Sequence, residues 1–188
     1  MLVAHAALMC CTFVVLFPLA ALTVRVPLSV RVTRLHAPWQ LANLAIAVIG
    51  AGFGIALAKK RHIPIGHTSH TVVGLVVVGC LLLVQPAMGW LQHLHSRKTT
   101  RRSPFGWAHL LLGRVLLILG VINGGCGFSL AYDHQYKAYI VVVAVVGAFY
   151  MAVLVWNWLS SRRQLRAQKT SKGDGGEGKN QGVINNVE

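Results

Sequence analysis

Apolar segments of about twenty residues alternate with short polar connectors along most of the chain. A helix of that length rises about 30 Å, which matches the hydrocarbon core of a bilayer. The pattern predicts five membrane-spanning helices, over residues 2–23, 36–58, 70–91, 105–128 and 138–159. We therefore expect an all-α protein, a polytopic membrane helical bundle that occupies residues 1–160.

Prolines and a change of composition mark the ends of these segments. Pro18 lies in the second half of the first segment and predicts a kink, which neighbouring helices can accommodate in a membrane. Pro38 follows the predicted start of the second segment and suits a first helical turn. After the fifth segment the chain is basic and then rich in Gly, Asn and Lys, so residues 161–188 are predicted to form a disordered tail.

The composition excludes a water-soluble protein. Hydrophobic residues make up 55% of the sequence and charged residues 12%, which is more apolar surface than a soluble core of 188 residues could bury. The net charge of +14 comes from Lys and Arg in the connectors, where membrane orientation explains it without nucleic-acid binding. The four cysteines lie inside apolar segments and predict no disulfide framework.

The distribution of basic residues predicts the orientation of the bundle. Connectors on the cytosolic side of a membrane protein carry an excess of Lys and Arg. One side holds Arg25, Arg31, Arg34, Arg97, Lys98, Arg101, Arg102, Arg162, Arg163, Arg166 and Lys169, and the other holds Lys59, Lys60, Arg61 and Lys137. The first side is therefore predicted to be cytosolic, which places the N-terminus outside and the C-terminal tail in the cytosol.

One histidine lies near the start of each of the first four segments: His5, His36, His70 and His109. Successive spans run in opposite directions, so His5 and His70 are predicted near the outer face and His36 and His109 near the inner face. Each pair comes from alternate helices, which are diagonal partners in an antiparallel four-helix bundle. A haem between two such imidazoles would be six-coordinate, and this state suits electron transfer.

Glycines follow two of these histidines at a spacing of four residues. Gly74 follows His70 and Gly113 follows His109, so each glycine shares a helix face with the histidine before it. We expect the missing side chain to leave space for a flat ligand beside the imidazole.

Arg114 lies inside the fourth segment. An unpaired charge at mid-membrane costs about 2.5 to 3.5 kcal/mol, so this residue needs an anion. It is predicted either to bind a propionate of the inner haem or to extend to the phosphates of the cytosolic head groups.

A second hypothesis explains the histidines without haem. A histidine at a membrane interface can place its polar tip among the head groups, and the chain would then be a haem-free multispan scaffold or a small transporter. The matching depths of the four histidines favour haem, and the four acidic residues all lie outside the predicted spans, which disfavours a proton-coupled pump. His67 is the main alternative to His70, because it shares a helix face with His70 at a spacing of three residues.

Several short motifs resemble the cytochrome b561 membrane domain, most closely the fungal form that follows an extracellular haem-binding domain of the DOMON type. They are HAALM and FPLAAL in the first span, LHAPWQ in the second, HTVVG and LLLVQP in the third, and WAHLLLGR and INGG in the fourth. The resemblance covers about residues 2–160. It implies that His5, His36, His70 and His109 bind two b-type haems.

In that family electrons commonly pass from cytosolic ascorbate to monodehydroascorbate or a ferric chelate outside. The resemblance therefore implies a transmembrane oxidoreductase in the lipid bilayer, with an extracytoplasmic acceptor such as a ferric chelate, monodehydroascorbate or a DOMON-type redox domain. The tyrosine-arginine stretch that some members carry after the first core helix is reduced here to ALTVRV, which disfavours ascorbate as the donor. His5 has scarcely one helical turn before it, and we expect that an upstream region is missing.

Overall fold

Five helices make up the described part of the chain. The computed structural model describes residues 1–23, 30–96, 103–131 and 136–184, without the side chains of 30–34, 165, 167 and 169–184. The helices are α1 (Leu2–Leu22), α2 (Val30–Lys60), α3 (Ser69–Ser96), α4 (Pro104–Leu130) and α5 (Tyr136–Ile184). No strand occurs in those ranges, so the predicted all-α fold is confirmed.

Each helix contains a segment that can cross a bilayer. The five candidate spans have 21 to 29 residues and a mean hydropathy of 1.9 to 2.6. Large apolar side chains such as Leu83, Leu111 and Val145 are more than half exposed, which is the pattern expected where lipid tails replace water. The prediction of five spans is confirmed by the length and composition of the helices.

One predicted helix start is wrong. α2 begins at Val30 rather than near residue 36, so Pro38 lies inside the helix and not in its first turn. In the sequence the uninterrupted apolar pattern begins only at Leu35, because Arg31 and Arg34 precede it. Neighbouring helices can satisfy the carbonyl that an internal proline leaves unpaired in a membrane helix.

The predicted orientation depends on residues that the structure does not describe fully. Arg25, Arg97, Lys98, Arg101 and Arg102 lie outside the described residues, and the side chains of Arg31 and Arg34 do too. The orientation therefore stays a prediction.

The chain divides into two compact units, Met1–Gly147 and Ala148–Glu188. The first unit contains α1 to α4 and the beginning of α5. The second is the remainder of α5, in which the Arg162 guanidinium lies 4.3 Å from the ring centroid of Trp158. Helix α5 continues to Ile184 through the predicted tail, with few described side chains there. The disorder of residues 161–188 and the boundary at residue 160 stay predictions.

The first four helices form a ring within the first unit. The most extensive contacts join α1 with α2 and α3 with α4, and smaller ones join α1 with α4 and α2 with α3. Helices α1 and α3 are therefore diagonal partners, as are α2 and α4.

A cluster of buried side chains fills the middle of this ring. Each of the four helices contributes to it: Phe13 and Phe17 from α1, Ala47 from α2, Val77 from α3 and Leu116 from α4. The two phenylalanine rings pack edge to face, with centroids 5.4 Å apart. Gly120 of α4 leaves the space that the Phe13 ring occupies, because an added Cβ would overlap that ring. The core therefore depends on a small residue opposite a large one.

Helices α1 and α3 each contain one π-helical stretch that ends just before a proline. The stretches are Cys11–Leu16, before Pro18, and Cys80–Val84, before Pro86. In α1 the N–H of Phe17 donates to the carbonyl of Thr12, five residues back. A proline has no N–H to donate and its ring crowds the carbonyl four residues earlier, so a wider turn accommodates it. The distortion expected at Pro18 thus takes the form of a π-helical stretch.

Candidate functional site

Each of the four predicted histidines hydrogen-bonds a backbone carbonyl of another helix through its Nδ1. The acceptors are Gly50 for His5 (2.8 Å), Ala20 for His36 (3.0 Å), Asn123 for His70 (3.0 Å) and Gln85 for His109 (3.1 Å). Since a carbonyl can only accept, Nδ1 must carry the proton in every ring. Nε2 of each neutral imidazole then presents a free lone pair, which is the arrangement of a metal ligand.

These hydrogen bonds run in reciprocal pairs between neighbouring helices. His5 of α1 donates to α2, and His36 of α2 donates back to α1. His70 of α3 and His109 of α4 exchange hydrogen bonds in the same way. Every helix of the ring therefore supplies one imidazole and one acceptor carbonyl, and the two helical hairpins share one plan.

The acceptor carbonyl follows the histidine of its own helix at a nearly constant spacing. The spacing is 15 residues in α1 and α3 and 14 residues in α2 and α4. The longer spacing belongs to the two helices with a π-helical stretch, whose turn holds one residue more than an α-helical turn. At about 1.5 Å per residue, 14 residues place histidine and acceptor roughly 21 Å apart along each helix.

This spacing separates the histidines into two layers. In the first layer, the ring centroids of His5 and His70 are 5.9 Å apart and their planes cross at 83°. The second layer consists of His36 and His109, which lie on the other two helices of the ring. The structure thus brings His5 and His70 together and places His36 and His109 on the other pair of diagonal helices.

Glycines of the facing helix provide the space for the imidazoles of the first layer. A Cβ at Gly54 of α2 would lie 2.6 Å from Cε1 of His5. A Cβ at Gly127 of α4 would lie 2.8 Å from Cε1 of His70. Real Cβ atoms do not approach other atoms so closely, so a larger residue at either position would move the ring. Both imidazoles are therefore held in place by a hydrogen bond on one side and a glycine backbone beside it.

Sequence reasoning missed these glycines, because each contacts a histidine on a different helix. Gly89 of α3 has the same relation to His109, at a looser 3.4 Å. A signal was present, since each of the three glycines lies four residues after an acceptor carbonyl. Each therefore also lies 18 or 19 residues after the histidine of its own helix.

The glycines that the sequence singled out have a different role. A Cβ at Gly74 would lie 3.0 Å from Nδ2 of Asn123, and one at Gly113 would lie 3.4 Å from Nε2 of Gln85. Amide side chains of the facing helices occupy part of the space beside both glycines, and Gly74 also lines the cavity beside His70, so the expectation of room for a flat ligand stays a prediction. Gln85 also donates from Nε2 to the carbonyl of His109, 3.2 Å away. These glycines bring the acceptor residues close to the histidine helices.

A cavity of about 500 Å³ borders the His5–His70 layer. This volume is typical of small-molecule and cofactor sites. Both first-layer histidines, Gly54 and Gly127 line it, and most of the other lining side chains are apolar. Tyr139 of α5 closes one side and donates from its hydroxyl to the carbonyl of Val121. The cavity can therefore hold a flat, largely apolar group between the two imidazoles.

The other predicted site residues lie away from this cavity. Arg114 is exposed on the same face of α4 as Leu111 and Ile118. This position favours extension to the head groups, and a role in binding a propionate stays a prediction. His67, the alternative to His70, is exposed in the turn before α3 and does not line the cavity.

The number of protein ligands that lie together distinguishes a site for a bare metal ion from a site for haem. A structural zinc ion takes four protein ligands. Within residues 1–23, 30–96, 103–131 and 136–184, no three His, Cys, Asp or Glu side chains come together as a metal site. A haem iron needs only axial ligands from the protein, since the macrocycle provides the others. Two imidazoles beside an apolar cavity with glycine walls therefore fit a haem and not a bare ion.

Comparison with known proteins agrees with this geometry. The family model for eukaryotic cytochrome b561 matches residues 4–134, which include all four histidines and their acceptor carbonyls. The chain belongs to the eukaryotic cytochrome b561 family. No curated protein and no solved structure matches it significantly.

Membership of the cytochrome b561 family establishes the general activity. Proteins of this family bind b-type haem and transfer electrons across a membrane. With its five apolar helices, the chain is an integral, multi-pass membrane protein of the lipid bilayer. The predicted kinship to the fungal DOMON-associated form stays a prediction.

Proposed function

We propose that this cytochrome b561 moves electrons through two b-type haems, one in each histidine layer. In the proposal, His5 and His70 are the axial ligands of the first haem and His36 and His109 those of the second. The observation that carries it is the common state of the four rings, in which Nδ1 donates to a carbonyl and Nε2 is left to bind iron. Such hydrogen bonds fix both the tautomer and the orientation of a ligand.

The haem, when bound, supplies reversible one-electron chemistry at its iron. The protein contributes two imidazoles to each site, which leaves no open coordination position and favours electron transfer over oxygen binding. The core between the layers, around Phe13 and Val77, excludes water from the space that an electron crosses. In each proposed site, both imidazoles are oriented by a hydrogen bond to the backbone of a neighbouring helix.

We further infer that electrons pass from a cytosolic donor to an extracytoplasmic acceptor. The support is the excess of Lys and Arg in the connectors next to the His36–His109 layer, which by the positive-inside rule is the cytosolic one. The acceptor is a ferric chelate, monodehydroascorbate or a redox domain of the DOMON type. The ALTVRV stretch departs from the pattern of ascorbate-dependent members, which disfavours ascorbate as the donor.

Haem content tests the two-site proposal. We expect the purified protein to contain two low-spin haems and to lose one of them in His70→Leu and the other in His109→Leu. His67→Leu is the matched control and should keep both, because its side chain is exposed and outside the cavity. The double variant His5→Leu with His109→Leu should lose both haems. Retention of one full haem in that double variant would show that the pairing is wrong.

The alternative, a haem-free scaffold or small transporter, makes the opposite prediction. A folded, monodisperse preparation expressed with excess haem would then show no visible absorption band, and the histidine variants would leave its properties unchanged. A single haem per chain would support only one of the two layers.

A further inference from the structure

The turn between α2 and α3 is closed by backbone hydrogen bonds. The N–H of Ile63 donates to the carbonyl of Ala58 at 3.0 Å, and the N–H of His62 donates to the carbonyl of Lys59 at 3.2 Å. His62 has a φ of +55°, so these bonds form the left-handed helix ending of the Schellman type, with histidine where glycine is usual. Arg61 is the C-cap residue between Lys60, the last residue of α2, and this ending, and its N–H donates to the carbonyl of Leu57 at 2.9 Å.

The rest of this turn is also held at both ends. The N–H of His67 donates to the carbonyl of Pro64, and the N–H of Gly66 donates to the hydroxyl of Thr71. The Thr68 side chain accepts from the N–H of Thr71 and caps the start of α3. Residues 61–68 therefore form a defined rim at this end of the bundle.

Arg61 projects from that rim to the cavity beside His5 and His70. It lines the cavity together with Ile63 and Ile65 of the same turn. Apart from the two histidines, it is the only basic side chain among the described residues of the lining. The adjacent Lys59 and Lys60 are exposed and do not line the cavity. The turn thus selects one of three consecutive basic residues for the cavity mouth.

A guanidinium at the mouth of an apolar cavity favours a planar anion. Its N–H groups form a fork that matches the two oxygens of a carboxylate. Among the described side chains no carboxylate is present, because Asp133, Asp174, Glu177 and Glu188 all lie outside the description. The part of the cavity lining that the structure describes contains no acidic side chain either.

We propose that Arg61 binds a carboxylate at the mouth of the His5–His70 cavity. This inference rests on the proposed function, because the carboxylate has two sources within it. One is a propionate of the haem in the first layer. The other is a carboxylate-bearing electron acceptor, such as a ferric citrate chelate, that approaches from the outer face.

The test compares Arg61→Gln with Lys60→Gln, which removes the same charge from the neighbouring residue outside the cavity. Both proteins are reconstituted with haem, and the two haem midpoint potentials are measured by redox titration. Reduction of anionic ferric citrate and of cationic hexaammineruthenium(III) is then followed from the outer face of proteoliposomes. Lys60→Gln reports the effect of net charge alone.

If a haem propionate is the partner of Arg61, Arg61→Gln should shift the midpoint potential of one haem and change the reduction rates of both acceptors in parallel. If the electron acceptor is the partner of Arg61, Arg61→Gln should leave both midpoint potentials unchanged and raise the KM for ferric citrate roughly tenfold. The KM for hexaammineruthenium(III) should stay the same. Arg61→Lys keeps the positive charge and should therefore produce a smaller change than Arg61→Gln in either case. If Arg61→Gln equals Lys60→Gln in all these measurements, the inference is overturned. Absence of haem from the unsubstituted protein would instead refute the proposed function.

Discussion

The imidazole of His5 lies against the backbone of Gly54, one helix away, where an added Cβ would be 2.6 Å from Cε1 and 2.7 Å from Nδ1. The same ring donates to the carbonyl of Gly50, one turn earlier on that helix. The position of the ring is therefore set by α2 as much as by α1. The backbone of α2 therefore helps to decide where Nε2 of His5 points.

Gly54→Ala should therefore displace the His5 ring and weaken the first haem site. We expect haem content to fall toward one per chain, with the absorption and electron-spin-resonance signals of the other haem retained. Overpacking of this kind costs about 1–3 kcal/mol, so the helices should still assemble. Haem-to-protein ratio and low-temperature spectra of the purified variant are the measurement.

Gly52→Ala is the matched control for that experiment. It lies on the same helix two residues earlier, and an added Cβ there meets nothing within 4 Å. In a helix interior alanine is favoured over glycine by roughly 0.5–1 kcal/mol, so this variant should bind haem fully and be slightly more stable. Equal haem loss in both variants would mean that helix α2 tolerates no substitution here, and the contact with His5 would then explain nothing.

Gly120→Ala should loosen the core between the two layers. The added Cβ would overlap the Phe13 ring, which is only 3% exposed. We expect a loss of about 1–3 kcal/mol in stability, measured as a lower temperature of haem release in detergent. The second substitution Phe13→Leu should restore part of this loss, whereas Gly79→Ala, which like Gly52→Ala meets nothing within 4 Å, should be slightly stabilising. A Gly120→Ala protein as stable as the unsubstituted one would contradict the packing described.

The sequence predicts the parts of this fold that depend on composition along the chain. Apolar segments define five helices, and alternation of direction sorts His5, His36, His70 and His109 into pairs by depth. Both results need only local pattern and chain direction. The four histidines were also recognisable from the motifs around them, such as LHAPWQ.

The parts that the sequence did not predict depend on contacts between helices. The carbonyl of Asn123 is an acceptor because α4 lies beside His70, and no local signal distinguishes it from other carbonyls. Gly74 was predicted to leave space for a flat ligand because it shares a face with His70, but the approach of the Asn123 amide from α4 to the same glycine had no local signal. Pro38 was misplaced because hydropathy does not detect the basic first turn of α2.

Substitution of Arg114 separates the two explanations for a charge inside α4. Its exposed position beside Leu111 and Ile118 favours extension to the head groups, so we expect Arg114→Gln to leave both haem midpoint potentials unchanged. Redox titration of the purified variant is the measurement. Arg114→Lys should behave in the same way, because a lysine can also reach the interface. A shift confined to one haem would instead establish a propionate as the partner of Arg114.

The extra residue in the π-helical stretch of α3 gives a sharper test of how the two layers are kept in register. Histidine and acceptor are 15 residues apart in α3 and 14 in α4, and the π-helical turn Cys80–Val84 absorbs the difference. Deletion of Leu83, an exposed residue of that turn, should convert it to an α-helical turn and leave the acceptor Gln85 on its original face. Both haems should be retained, with some loss of stability because Pro86 then lies in a regular helix.

Deletion of Ile118 from α4 is the matched control. Ile118 is also exposed, but it lies in regular helix between His109 and Asn123, so its loss rotates the following residues by about 100°. The carbonyl of Asn123 would then no longer face His70, and the first haem should be lost. Haem content and thermal stability of the two deletion proteins decide the matter. If the Leu83 deletion loses haem as completely as the Ile118 deletion, the π-helical stretch does not compensate for the longer histidine-to-acceptor spacing of α3.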